Sequence, residues 1–561
     1  MKKLVFILAV NAWVSLGFAQ NIELVEDINP GLSNSLPYSF TVANGLLFFV
    51  TDNGALGQEL GVMNASEQVT VLDITPGAEG TDPTDLIGTD THLFFLTSNY
   101  DQNDDFESHS LWSSDGTLNG TQMLGTFPDP VLSTGITGMR TTSSLLFFVA
   151  AYEDQPLREL WRSDGTPEGT FMIDVNNDLV PSIVYDDFNP ETNEDELFFN
   201  SAIQHAIYRS DGTPEGTVAI VSNAVDPLPG KKILAHQDGL YYIPSNRGLR
   251  RKPINGGDEL IIIEGGEGAE VEDLLQVVDG KLYFMARDFT HGTELWVYDP
   301  FSKAKGAVHL VKDFNLGNGS SSILSPVNYQ EKLYFGASYQ GYNGQIGVLP
   351  QGQELWITRG STLSTKLFKD VNPGTESGLN SFQPQVYANR LFFAADDGVH
   401  GMELWVTDGY PGLKVYTDAD LNGGTYMVED FQTGSSGSNP SGLTVYNGTL
   451  YFSADDGVLG RELYKFQIPK SIPVKATAQP SPIKAYPNPT QGVFTLEWEE
   501  GTAIRGQGLL TITSHHGKVV RKEKVSLPFT RQINLAHQEP GIYLVKIAID
   551  DQQFTKKVVV N

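Results

Sequence analysis

The sequence contains no cysteine in 561 residues. The protein can therefore form no disulfide and carry no cysteine-linked lipid anchor, and catalysis by a thiol is excluded. Its stability must come from packing. No stretch after the N-terminal segment reaches the ~18 apolar residues that a membrane-spanning helix needs, so we expect no membrane span.

Basic residues are scarce, since 37 Lys and Arg face 68 Asp and Glu and the formal net charge is -31. The charge is uneven, because residues 483–561 hold 10 basic and 7 acidic residues. The acidic excess therefore lies in residues 20–466. A body of this charge is repelled by nucleic acid and by anionic membranes, so neither is an expected partner.

Local catalytic motifs are absent as well. The ten histidines form no His-Glu-x-x-His pattern, and the chain has no Gly-x-Ser-x-Gly elbow or phosphate loop. Carboxylates from distant parts of the chain can still meet without leaving a local trace, so an acid pair of the glycosidase type stays open.

The N-terminal segment has the three parts of a secretory signal peptide. Lys2 and Lys3 form its basic start, an apolar run follows from Leu4, and Gly17–Ala19 gives a small-residue end. We predict that residues 1–19 are removed before Gln20. The mature protein is then secreted, and is found outside the cell or attached to the outer-membrane surface.

An apolar-aromatic triplet recurs nine times at a mean spacing of about 50 residues, which is in the range of propeller and solenoid repeats. Turn residues precede many copies, and the composition of the triplet is typical of a buried strand. The copies are Leu47–Phe49, Leu93–Phe95, Leu146–Phe148, Leu197–Phe199, Leu240–Tyr242, Leu282–Phe284, Leu333–Phe335, Leu391–Phe393 and Leu450–Phe452.

Two further elements follow most triplets. The first reads Glu-Leu-Trp and often ends in Asp-Gly, as at Glu159–Thr166, and it predicts a strand that ends in a tight turn. Five of the seven tryptophans occupy this one position, which favours a repeated packing slot over ligand-stacking sites. The second element, such as Val25–Gly31, predicts another strand that ends in Asn-Pro-Gly. Because these Glu and Asp recur from unit to unit, turn or strand-pairing roles are favoured for them over catalysis.

With a weaker strand before each triplet, every unit has the four strands of a propeller blade. The mature chain begins with the element that the last unit lacks. Pairing of Leu24–Asp27 with the last unit would close the ring and leave no exposed edge. The predicted fold is therefore all-β: a β-propeller of about eight or nine four-stranded blades followed by a small C-terminal β-sandwich. The count is open because the unit at Leu240 has Arg250-Arg251 in place of the tryptophan element.

Glu-Leu-Trp-x-Ser-Asp-Gly-Thr, complete at Glu159–Thr166, resembles the ELWxxDGT repeat of secreted bacterial proteins. The resemblance covers residues ~22–466 and implies a propeller-like fold without an established chemistry. It departs from the pattern at Leu240–Arg251 and at Gly61, where tryptophan is missing.

Residues 467–482 are rich in proline and read as a linker. Residues 483–561 then show alternating runs typical of a β-sandwich. The markers Tyr486–Pro489, Gly517–Val520, Pro540–Leu544 and Lys556–Asn561 resemble the C-terminal sorting domain (type A) of the type IX, or Por, secretion system of Bacteroidetes. The resemblance implies recognition by the export machinery, with cleavage near the linker and either anchoring or release. An ordinary adhesive sandwich is the alternative.

One local pattern fits a calcium loop. Asp418, Asp420, Asn422 and Glu429 match D-x-[DN]-x-[DN]-G-x₅-E, within an insertion that follows Gly409. Glu429 also belongs to the fourth strand of its unit, and a plain Asp/Asn/Gly turn is the alternative. Calcium is the one cofactor that the sequence suggests.

These observations favour a non-enzymatic binding or adhesion protein that contacts glycans or surface proteins, and we expect a monomer. The alternative is a secreted hydrolase or lyase that acts on polysaccharide through carboxylates in the propeller channel. The absence of a catalytic motif favours binding, although fold alone does not dictate function.

Overall fold

The computed structural model describes residues 22–560 with internal gaps. The predicted signal peptide and residues 468–482 of the predicted linker lie outside the described residues. The chain divides into two compact units, Met1–Pro469 and Lys470–Asn561. The gaps are residues 101, 103–105, 129–134, 152–157, 174–190, 194, 202–205, 223–232, 237–238, 255, 266–267, 303–306, 340–350, 381, 412, 415–422, 468–482, 489, 499–505, 515–518, 539–540 and 550–551.

The described residues of the first unit form nine antiparallel sheets, which we call blades 1–9 in chain order. The first strand of the chain is β1 (Ile22–Glu26). Blades 1–4 consist of β2 (Tyr38–Ala43), β3 (Leu46–Asp52), β4 (Gln58–Met63) and β5 (Val69–Leu72); β6 (Thr84–Gly88), β7 (Leu93–Tyr100), β8 (Phe106–Ser114) and β9 (Gln122–Pro128); β10 (Thr137–Thr141), β11 (Leu146–Ala151), β12 (Arg158–Ser163) and β13 (Phe171–Met172); and β14 (Glu191–Asn193), β15 (Glu196–Ser201), β16 (Ala206–Ser210) and β17 (Val218–Ser222).

The remaining blades repeat this order, with one additional strand in blade 8. Blades 5–9 consist of β18 (Leu234–His236), β19 (Gly239–Tyr242), β20 (Leu249–Lys252) and β21 (Leu260–Ile263); β22 (Glu270–Val278), β23 (Lys281–Asp288), β24 (Gly292–Tyr298) and β25 (Val308–Lys312); β26 (Ile323–Tyr329), β27 (Lys332–Tyr339), β28 (Gln351–Thr358) and β29 (Lys366–Lys369); β30 (Gln385–Tyr387), β31 (Arg390–Asp396), β32 (Met402–Thr407), β33 (Leu413–Lys414) and β34 (Gly423–Met427); and β35 (Ser441–Tyr446), β36 (Thr449–Asp455) and β37 (Arg461–Phe466), completed by β1.

The N-terminal strand closes the ring. β1 pairs antiparallel with β37, with Ile22 opposite Phe466 and Leu24 opposite Tyr464. The first strand of blade 9, β35, contacts the first strand of blade 1, β2, and most other first strands also contact their neighbours. The first strands therefore form the inner wall of a propeller, and the predicted pairing of the two ends is confirmed. The unit at Leu240 forms a blade of its own, so the number of described blades is nine.

Each second strand carries the apolar-aromatic triplet, and each triplet is fully or almost fully buried. Both faces of these strands are covered because every blade packs between two others. The tryptophans pair with the last aromatic residue of the triplet: Phe148 stacks on Trp161 at 6.0 Å between ring centroids, and Phe95 on Trp112 at the same distance. Trp405 joins the cluster that links blades 7 and 8. The tryptophan position is therefore a packing slot between blades.

Two blades fill this slot without an aromatic residue. In blade 1 the slot belongs to Gly61, and a Cβ there would lie 2.5 Å from the ring of Phe49. In blade 5 it belongs to Arg250, which faces Tyr242 across the sheet. Arg250 donates to Glu259 at 2.6 Å, and the hydroxyl of Tyr242 donates to the same carboxylate. A polar triad thus replaces the aromatic stack in the degenerate unit.

The second unit is a sandwich of two sheets around one core. Its strands are β38 (Ile483–Tyr486), β39 (Val493–Trp498), β40 (Gly506–Ser514), β41 (Val519–Leu527), β42 (Thr530–Asn534), β43 (Gly541–Ile549) and β44 (Gln552–Val560). The sheet orders are β38-β39-β42 and β41-β40-β43-β44. Trp498, Leu510, Ile533 and Val545 are among the residues that fill the core.

Candidate functional site: the loop face and its buried glutamates

One end of the propeller carries two kinds of connection. The loops between the second and third strands lie there, together with the turns that leave the fourth strands and enter the next blade, because successive antiparallel strands reverse direction. We call this end the loop face. The Asp-Gly turns between the third and fourth strands lie at the opposite end.

A glutamate stands at or near the start of the third strand in most blades and reaches the loop-face turn of the same blade. Five of these glutamates are completely buried: Glu59, Glu294, Glu354, Glu403 and Glu462. Glu354 shows the arrangement most clearly, since one carboxylate oxygen accepts from the amide of Val371 at 2.6 Å and the other from the amide of Gly378 at 2.7 Å. The carboxylate therefore supplies the acceptors that the turn lacks.

The same contact recurs in the other blades. Glu403 accepts from the amide of Ser438 at 3.0 Å and from its hydroxyl at 2.5 Å. Glu294 accepts from the amides of Phe314 and Asn315 at 3.1 and 3.2 Å. We call this contact the glutamate clamp. The roles in turns that the sequence predicts for these glutamates are confirmed.

The clamp also links neighbouring blades. Glu462 of blade 9 accepts from the amides of Ile28 and Ser35, both at 3.0 Å. The carbonyl of Ser35 in turn accepts from the amide of Asp52, at the start of the loop of blade 1, at 2.9 Å. In the same way, the carbonyl of Gly378 accepts from the amide of Asp396, and the carbonyl of Ser438 accepts from the amide of Asp455. At these three junctions the glutamate therefore holds a turn that also bonds the next loop.

The loops between the second and third strands are closed by their own Asp and Asn side chains. In blade 8 the amides of Val399 and His400 donate to Asp397 Oδ1, both at 2.9 Å. His400 Nδ1 lies 2.7 Å from Asp397 Oδ2, and in blade 6 His291 makes the equivalent 2.8 Å pair with Asp288. Hydrogen bonds to these aspartates raise the pKa of His291 and His400 above the usual value.

Large apolar side chains project from this rigid frame. Phe289 is 90% exposed in the loop of blade 6, and Val399 and Val458 are each 64% exposed in the loops of blades 8 and 9. Leu32 is 85% exposed in the turn that joins blade 9 to blade 1. That turn packs closely against the loop of blade 9, since a Cβ on Gly460 would lie 2.6 Å from Asn34 Oδ1. All four side chains lie at the loop face, because each belongs to a loop between second and third strands or to a turn that leaves a fourth strand.

Burial changes the pKa of the clamp glutamates. Because desolvation disfavours the ionised carboxylate, it raises the pKa of Glu294 and of Glu354 to about 7, against the opposing effect of the amide donors. It raises the pKa of Glu59, Glu403 and Glu462 in the same direction. The side chains are inaccessible to a large substrate, so their perturbed pKa values reflect structure rather than acid catalysis.

The Asp-Gly turns at the opposite end are also structural. Asp164 Oδ1 accepts from the amide of Thr166 at 3.0 Å and from its hydroxyl at 2.7 Å. Asp115 and Asp211 make the same pair of bonds with Thr117 and Thr213. Gly165, at φ +94°, supplies the left-handed conformation that the turn requires.

The predicted calcium residues fall in and after the insertion of blade 8. Asp418, Asp420 and Asn422 lie outside the described residues, between β33 and β34, which pair as a hairpin. Glu429 is half-buried and follows β34. A strand of five residues is about 13 Å long, so β34 separates Glu429 from the start of the hairpin's second arm. Among the described residues, no three His, Asp or Glu side chains are grouped so that they could hold a metal ion.

The motif at the start of the second unit braces its last strand. Asn488 Oδ1 accepts from the amide of Val559, and Asn488 Nδ2 donates to the carbonyl of Lys557, both at 2.8 Å. The amide of Thr490 donates to the carbonyl of Val559, also at 2.8 Å. The side chain of Asn488 thus bonds the edge strand much as a neighbouring strand would, which explains why Tyr486–Pro489 and the C-terminal residues belong to one pattern.

Comparison with family models matches residues 484–561 to the Por_Secre_tail model, described as a secretion system C-terminal sorting domain. The protein therefore carries a sorting domain of the type IX secretion system and is exported to the cell surface or the extracellular space. Within the described residues, no helix has the length and hydropathy that crossing a membrane requires.

The comparison with curated proteins found no match. Similar solved structures include the β-propeller domain of the Trilobed protease from Pyrococcus furiosus, with 11% identity, a TM-score of 0.30, and coverage of 57% of this chain and 92% of that one. BamB from Moraxella catarrhalis shows 10% identity, a TM-score of 0.29, and coverage of 53% and 79%. An acylaminoacyl peptidase from Pyrococcus horikoshii shows 12% identity, a TM-score of 0.29, and coverage of 67% and 58%. The propeller architecture follows from the ring of sheets in this chain itself.

Replacing Glu354 by Gln tests the clamp and its pH dependence. The new amide group would face a backbone N–H donor, so we expect a loss of about 1–3 kcal/mol in the free energy of unfolding near pH 7. Between the usual pKa of 4.5 and the folded value of about 7, the folded wild type holds more protons than the unfolded chain. Its stability should therefore fall as the pH rises from 5 to 8.

Urea denaturation at several pH values measures both effects. Between pH 5 and 8, the free energy of unfolding should fall less in the Glu354→Gln variant than in the wild type. The fall that remains in the variant comes from the other clamps and from the two histidine pairs. Glu376→Gln, an exposed change within the turn that Glu354 holds, is the matched control and should follow the wild type. Identical profiles for Glu354→Gln and the wild type would contradict the clamp.

Proposed function

We propose that this chain is an ELWxxDGT-repeat protein, exported by the type IX system, that acts as a non-enzymatic binding or adhesion module. The partner is a glycan or a surface protein, and the loop face is the binding surface. The single observation that supports this function is the set of exposed apolar side chains, Leu32, Phe289, Val399 and Val458, on loops and turns held by hydrogen bonds to buried glutamates or to their own aspartates. Rigid loops lose little conformational entropy when they bind.

The positions of the recurrent carboxylates favour binding over the hydrolase alternative. The glutamates are buried in clamps, and the aspartates of the Asp-Gly turns bond their own backbone. A retaining or inverting glycosidase needs two carboxyl groups that face the substrate from both sides of the scissile bond. Within the part of the propeller that the structure describes, the clamp glutamates and turn aspartates do not offer such a pair.

The double substitution Val399→Ser and Val458→Ser tests the loop face. Loss of two apolar contacts should weaken binding at least about tenfold, because burying one such side chain contributes roughly 1.5 kcal/mol or more. The measurement uses the mature chain on a glycan array and on whole bacterial cells, with parallel assays for release of sugar from polysaccharides. Leu363→Ser, which is 98% exposed at the opposite end of the propeller, is the matched control.

Two outcomes would contradict this function. Equal binding by the double variant and the wild type would exclude the loop face as the binding surface. Release of soluble sugar from a polysaccharide by the wild type would instead establish the enzyme alternative.

Calcium binding in the insertion of blade 8 is a separate proposal. It is supported by the spacing of Asp418, Asp420 and Asn422, and because β34 intervenes, such a site would be built without Glu429. Calcium should then raise the melting temperature of the wild type but not that of a variant with Asp418→Ala and Asp420→Ala. Glu429→Gln serves as the control and should keep the calcium response. An equal response of the wild type and the double variant would remove the proposal.

A further inference from the structure

A cleft of about 420 Å³ opens between blades 2 and 3, where their first strands meet at the inner wall of the propeller. This volume is within the range of small-ligand pockets, roughly 300–1,000 Å³. Leu96, Ile136 and Met139 line the cleft and belong to one buried apolar cluster, so they form its floor. Two exposed charged residues, Asp85 and Arg140, also line it.

Asp85 lies within an irregularity of β6, and Arg140 directly follows one in β10. The pairing of β6 with β7 shifts between Thr84 and Ile87, and that of β10 with β11 shifts between Thr137 and Arg140. Asp85 lies in the first irregularity at φ +51°, and Gly138 lies in the second at φ +63°. Bulges of this kind redirect side chains, and they are common next to functional sites.

Other blades contain the same bulge without the charge. Ser39, Ser325 and Gly442 occupy the equivalent positions in β2, β26 and β35, and all have positive φ values. The bulge itself is therefore part of the repeat, whereas the aspartate and the arginine are particular to blades 2 and 3. This local departure from the repeat distinguishes a specific site from a structural device.

We propose that this cleft binds a short zwitterionic peptide with apolar side chains. The ammonium group would lie near Asp85, the carboxylate near Arg140, and the apolar side chains against Leu96, Ile136 and Met139. A neutral sugar would leave both charges unused, and a free amino acid would fill only part of the volume. This site is separate from the loop-face tips, so it neither requires nor replaces the binding function proposed above.

Calorimetric titration of the mature chain with the dipeptide Leu-Leu tests the site, with N-acetyl-Leu-Leu-amide as the ligand control. We expect saturable binding of Leu-Leu at millimolar concentration or below. The capped dipeptide should bind several-fold more weakly, up to about 25-fold, because each lost charge pair on an accessible surface contributes up to about fivefold.

Single substitutions test the contribution of Asp85 and of Arg140 to binding. Asp85→Asn keeps a residue that tolerates positive φ and removes the charge, and Arg140→Gln removes the opposite charge. Each should weaken binding of Leu-Leu about fivefold, while Glu215→Gln, an exposed carboxylate in another blade, should have no effect. Equal affinities for the free and the capped dipeptide in the wild type would overturn the proposal. So would failure of Leu-Leu to bind, or unchanged binding in both variants at an unaltered melting temperature.

Discussion

The propeller depends on a carboxylate that is buried where the chain passes from one blade to the next. A turn at this place cannot satisfy its amides through a sheet, because the fourth strand has ended and the next first strand has not begun. Glu59, Glu294, Glu354, Glu403 and Glu462 supply the missing acceptors from within the blade. Without them, buried N–H groups would stay unpaired at a cost of about 1–3 kcal/mol each.

This constraint determines the shape of the loop face. Because the clamped turn also accepts from the first residue of the following loop, the contact links blades 7, 8, 9 and 1 in series. At the junction of the two chain ends, Glu462 holds Ile28 and Ser35, which belong to the N-terminal segment. The same contact therefore closes the propeller and fixes the loops whose tips are exposed. The cost is a set of buried acids whose pKa is raised by desolvation.

Much of the fold could be predicted from the sequence because packing repeats at a fixed spacing. The triplets and the tryptophan slot recur about every 50 residues, and the missing fourth strand of the last unit indicated the pairing of the ends. The sorting domain could be identified because its markers lie in one short stretch. The structure adds the reason for one of them, since Asn488 bonds the backbone of the C-terminal strand.

The candidate sites were less accessible to sequence reasoning. The repeated Asp-Asp-Gly-Val at 396–399 and 455–458 is visible in the sequence, but only the fold shows that its valines project from one face. Asp85 and Arg140 are 55 residues apart and belong to no motif, so only the contact of β6 with β10 brings them to one cleft. In blade 5, the role of Arg250 depends on Glu259, which no spacing rule connects to it.

Closure of the ring by β1 and β37 is the claim on which the rest depends, and a disulfide tests it most directly. Glu23 faces Lys465 across the two strands, and the chain has no native cysteine to interfere. Directly opposed strand residues lie within disulfide range. The variant with Glu23→Cys and Lys465→Cys should therefore form an intramolecular disulfide under mild oxidation, detected by mass and by thiol titration, and its melting temperature should rise. Failure to form this bond, or equally efficient bonding when Glu26→Cys replaces Glu23→Cys, would contradict the closed propeller.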